Sequence, residues 1–156
     1  AMYLRGNFAL DLKEGEGGNK MTISETNKKI EAMTITSQGL PFYSDSITYN
    51  YAIPKELDGK ECWVHLPDYQ GAYAKISSNG REEMIAWRPN IKKIKLAAEL
   101  KVEVSVTRKN TFGPLHLEQV VTKSVGPGHF KKCERLNVNL MDAGLLADIE
   151  IIEVNS

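Results

Sequence analysis

Apolar and polar positions alternate with a period of two from Leu100 to Thr107. Leu100, Val102, Val104 and Val106 are apolar, and Lys101, Glu103, Ser105 and Thr107 are polar. Successive side chains of a β-strand point to opposite faces, so this run predicts a strand with one face on a core and the other in water. Ile47, Tyr49, Tyr51 and Ile53 repeat the alternation against Thr48, Asn50 and Ala52, and Pro54 ends the run because it has no N–H to donate to a ladder. Leu145 to Val154 reads as another strand, with Ala147, Ile149 and Ile151 set against Asp148 and Glu150.

Turn residues separate these runs from others. Ala72 to Ser77 and Arg81 to Ala86 flank Asn79-Gly80, a pair that readily takes positive φ at both positions and so predicts a two-residue type I′ hairpin turn. Asp58-Gly59 parts the Tyr49 strand from a strand over Glu61 to Leu66, and Tyr3 to Leu12, Met21 to Ser24 and Lys29 to Thr36 supply early strands. The expectation is about nine short strands and one short helix-like stretch, Ile94 to Leu100. Many short strands joined by turns predict an all-β, antiparallel β-sandwich or jelly roll over residues 1–156 rather than an α/β fold. Asn110 to Asn137 has scattered Gly and Pro and no alternation, so it is expected to be a long structured loop of the kind that often carries function.

Composition narrows the partners. Twenty basic residues balance twenty acidic ones, and without a basic run the footprint of a nucleic-acid binder is missing. No apolar stretch reaches the roughly 20 residues of a membrane-spanning helix, so no membrane partner is expected. Ala1 ahead of Met2 has the form of a tag scar, and the natural chain is expected to be longer. Cys62 and Cys133 stand far apart with no second Cys near either, which gives no zinc pair; Cys62, in a strand, reads as a buried thiol.

The common catalytic fingerprints HExxH, GxSxG, the phosphate-binding loop and GxGxxG are missing. Glycoside hydrolysis needs two carboxyl groups roughly 5–10 Å apart. Asp45, Asp68 and Glu83 lie near expected turns, but their spacing singles out no acid and nucleophile, and surface charge is the plain reading. Aromatic residues are better candidates, because the apolar face of a sugar lies well on an indole or phenol ring with polar groups beside it. Trp87-Arg88 follows the Asn79-Gly80 hairpin and precedes Pro89, while Tyr69 and Tyr73 flank another expected loop. Packing on the core or its rim is the alternative for Trp87 and both tyrosines. His65, beside Trp63, reads as structural or solvent-facing, whereas His116 and His129 fall in the long loop, where ligand contact is more plausible.

Three stretches, GLPFYSDSITYNYAIP (Gly39 to Pro54), AYAKISSNGREEMIAWRPNIKKI (Ala72 to Ile94) and NTFGPLHL (Asn110 to Leu117), resemble the jelly-roll, galactose-binding-like accessory domain of multidomain bacterial glycoside hydrolases. The likeness runs over about half of the chain. Such domains open a strand on Gly-x-Pro-Phe-Tyr-x-Gly-Ser, and Asp45 stands where the second Gly is usual. The resemblance implies a domain that is not itself catalytic and that braces a neighbouring catalytic domain, lends a loop to its cleft or binds glycan; no cofactor is expected, and no Asp/Asn cluster is specific enough to mark a metal site. It also implies a periplasmic or extracellular address. Carbohydrate and an adjacent catalytic domain are then the expected partners, and Trp87, Arg88, Tyr69, Tyr73 and His116 the expected contacts. A free-standing lectin-like module and a glycosidase with an unrecognised carboxylate pair are the alternatives.

Overall fold

A computed structural model describes residues 6–15, 18–26, 29–112 and 140–154. Among them the chain is almost entirely β, and all strand pairs are antiparallel. A four-stranded sheet has the order β3-β9-β6-β7, from Ser46–Ala52 (β3), Glu99–Ser105 (β9), Tyr73–Ser78 (β6) and Arg81–Ile85 (β7). A three-stranded sheet places Glu61–His65 (β4) between Glu150–Glu153 (β11) and Ile91–Lys95 (β8). Ala9–Gly15 (β1) with Gly18–Ser24 (β2), and Tyr69–Gln70 (β5) with Gly144–Leu145 (β10), form two further pairs.

The two larger sheets bury one core between them, which makes the fold a β-sandwich. Leu100, Val102 and Val104 of β9 are fully buried, as are Ala74 and Ile76 of β6, and they meet Cys62 and Val64 of β4 and Ile94 of β8 in a single cluster. The period-two pattern of β9 therefore does what it predicts: Lys101 stays exposed and Glu103 half-buried on the other face. Cys62 is a buried thiol without a disulfide partner among the described residues, and burial raises its pKa. The Asn79-Gly80 turn also forms as read. Asn79 has φ 52° and Gly80 φ 71°, and Ser78 faces Arg81 directly across the hairpin.

Several expectations need correction. Ile94 to Leu100 is not helical: it holds the end of β8, a three-residue connection and the start of β9. Ile94 and Leu96 are both buried, two positions apart, and the demand for that spacing from the sheet outweighs the helix preference of Lys and Ala. Lys29 to Thr36 is not a strand. The side chain of Gln38 takes its backbone groups instead: Nε2 donates to the carbonyls of Glu31 (3.1 Å), Met33 (2.9 Å) and Thr34 (3.3 Å), and Oε1 accepts from the Glu31 N–H (2.8 Å). Residues 35–38 then close as a 3₁₀ turn that ends at Gly39, φ 85°. Leu145 to Val154 is two strands, because β10 pairs with β5 while β11 pairs with β4, and the chain crosses between them.

The expected loop from Asn110 opens with a single helical turn, Lys109–Phe112 (α1). Asn110 is buried there and clips the returning chain, giving Nδ2 to the Met141 carbonyl (2.7 Å) and accepting the Met141 N–H at Oδ1 (2.9 Å). The rest of that loop, with His116, His129 and Cys133, lies outside the described residues, as does Tyr3.

Candidate binding site

The corner that leads from β7 to β8 carries Trp87 and Arg88. The chain leaves the four-stranded sheet at Ile85, whose side chain is buried, and enters the three-stranded sheet at Ile91. Both ends of the corner are fixed by hydrogen bonds. The Tyr69 hydroxyl donates to the Ile85 carbonyl at 2.9 Å, and the Leu66 N–H donates to the Asn90 carbonyl at 2.8 Å. Between these anchors Trp87 is 82% exposed and Arg88 is exposed as well. Core packing of Trp87 is thereby excluded. An indole left in water forgoes most of the burial that normally holds so large a side chain inside.

The tyrosines have a different role. Tyr69 is half-buried against the core, burial raises its phenol pKa, and its proton is already given to Ile85. It positions the corner rather than extending from it. Tyr73 opens β6 opposite Ser105 and is half-buried. Trp87, Arg88 and Tyr69 are therefore brought to one corner, Tyr73 lies on the neighbouring strand, and the placement of His116 is not described.

Two other surfaces were not singled out from the sequence. On the outer face of the three-stranded sheet Trp63, 40% exposed, sits between Ile152 of β11, 50% exposed, and Lys93 of β8. Two polar contacts border it: Lys93 Nζ lies 2.7 Å from Glu61 and His65 Nδ1 lies 2.8 Å from Glu150. The Lys93 ammonium, by hydrogen bond and by charge, holds the exposed Glu61 carboxyl below its ordinary range. The alternation of Glu61, Trp63 and His65 on β4 was the available signal, since it puts all three on one face.

The second surface is a cavity of about 670 Å³ along β3. One wall is residues 47–51 of β3, the other is residues 29–33, and Asp148 stands at its margin. Burial first, and then the Asp148 carboxylate, push the Tyr51 phenol in this wall up to about 12. None of Trp87, Arg88, Tyr69 and Tyr73 lines it.

Among the described residues no helix is long and apolar enough to cross a membrane. No protein-family model matches the chain, and no curated protein matches it.

Proposed function

We propose that this chain is a non-catalytic carbohydrate-binding accessory domain that works beside a glycoside hydrolase, with Trp87 and Arg88 as its principal glycan contacts. The observation that carries the reading is the 82% exposure of Trp87 on a corner pinned at both ends. A solvent-facing indole on an anchored corner offers a flat apolar surface to the C–H face of a sugar ring. The adjacent Arg88 guanidinium brings five N–H donors in a fixed fork to hydroxyl or carboxylate oxygens of the same ligand. The sequence resemblance points the same way.

A glycan array probed with the 156-residue chain tests this. Binding in the micromolar-to-millimolar range, lost in Trp87→Ala and weakened in Arg88→Ala, is the expected result. Hydrolysis of aryl glycosides by the chain, abolished by loss of one carboxylate, would show the non-catalytic reading to be wrong.

A further inference from the structure

The cavity along β3 is bounded by backbone on both sides. Residues 47–51 all line it, whether their side chains turn to the core, as Ile47 and Tyr49 do, or to solvent, as Thr48 and Asn50 do. Consecutive residues of both faces share one cavity only where that cavity follows the strand's edge. Among the described residues β3 is the outermost strand of its sheet, and its one ladder is to β9. Every second residue of such a strand turns its N–H and C=O away from the ladder. From Ile47 to Ala52 these outward groups meet no hydrogen-bonding partner among the described residues.

The opposite wall does not close the gap. Its backbone groups at Glu31, Met33 and Thr34 are taken by Gln38, which holds residues 31–34 in place. Strand residues 47–51 and residues 29–33 both line this cavity of about 670 Å³, and an added strand would lie about 4.8 Å from β3.

We infer that this slot accepts an extended peptide segment of a partner protein, which pairs with β3 as a fifth strand of the four-stranded sheet. The slot selects a lone strand. A second copy of this sheet would bring further strands with it, toward the side that residues 29–33 line. Side chains of the incoming strand would alternate, apolar toward Tyr49 and Tyr51 and polar beside Thr48 and Asn50. Glu31 and Asp148 outnumber Lys29 along the slot, so the peptide carries a Lys or Arg toward its Asp148 end by charge complementarity. This inference does not depend on the glycan reading.

Selection of a displayed library of random ten-residue peptides against the 156-residue chain, followed by hydrogen exchange, is the test. Alternating peptides with a basic residue are expected, and they should slow amide exchange within residues 46–52. N-methylation of every second peptide residue should weaken binding at least tenfold, since it removes the ladder donors and keeps the side chains. Thr48→Lys/Asn50→Lys, which changes two exposed positions on the core-distal face, should do the same without lowering the melting temperature. A library that yields no binder, binders that protect other strands, or indifference to N-methylation overturns the inference. So does concentration-dependent dimerisation with protection of β3, which would assign the edge to a second copy.

Discussion

The backbone N–H of Leu145 donates to the phenol oxygen of Tyr49 across 3.1 Å, and this bond fastens β10 to β3 inside the core. Burial raises the Tyr49 phenol pKa even though the Leu145 N–H pulls it down, so the hydroxyl stays neutral as β10 is held. Tyr49→Phe removes the acceptor and leaves a buried N–H unsatisfied. A loss of about 1–3 kcal/mol is expected, read as a lower denaturation midpoint at unchanged slope in urea.

The same contact leaves no room at Gly144. Gly144 has φ 92°, and a Cβ there would lie 2.7 Å from the Tyr49 hydroxyl oxygen and 2.9 Å from Ile35 Cγ2. Gly144→Ala combines left-handed backbone strain with a clash against buried groups, and a cost of at least about 1–3 kcal/mol follows from the strain alone. Thermal unfolding of the variant beside Gly59→Ala is the check. Gly59, φ 77°, has open space around it, so its variant should lose clearly less.

Leu100 anchors β9 in the core with no exposed surface, while Lys101 beside it faces solvent. Leu100→Ala should cost about 2–5 kcal/mol and Lys101→Ala within about 0.5 kcal/mol. Equal losses in chemical denaturation would show that the alternation does not set the burial.

Much of this fold was legible in the chain itself. Leu100, Val102 and Val104 could be placed on a core-facing strand, and Asn79-Gly80 in its turn, because local pattern and tertiary burial agree there. Ile94 to Leu100 misled because its local preference conflicts with its place in a sheet. Lys29 to Thr36 misled because a side chain, Gln38, replaces the strand ladder, and no periodicity reports that. The site was less legible. A Trp at a strand end reads equally as core or surface, and only its 82% exposure, on the corner that Tyr69 and Leu66 anchor, places Trp87 in water. The β3 cavity joins residues 29–33, 47–51 and Asp148, which no sequence spacing connects.

Tyr51 gives the structure a signature at alkaline pH. Its folded-state pKa of about 12 exceeds the ordinary tyrosine value of about 10. Below pH 10 the phenol is protonated in both states, and its contribution is fully present. Between pH 10 and 12 the unfolded chain loses the proton first, so stability falls as pH rises through that window. In Asp148→Asn the Tyr51 pKa should drop toward 10 without reaching it, since burial is the larger cause. The difference in tyrosinate absorbance between each chain and its Tyr51→Phe variant measures this.

Trp63 and Trp87 are the only two tryptophans of the chain, so each can be observed alone. Glycan binding at Trp87 is tested most directly by tryptophan fluorescence during titration with a glycan taken from the array, in Trp63→Phe and Trp87→Ala. A saturable emission change is expected in Trp63→Phe, where Trp87 is the sole reporter, and neither emission change nor binding heat in Trp87→Ala. Undiminished binding by Trp87→Ala, with the response carried by Trp63, would contradict it.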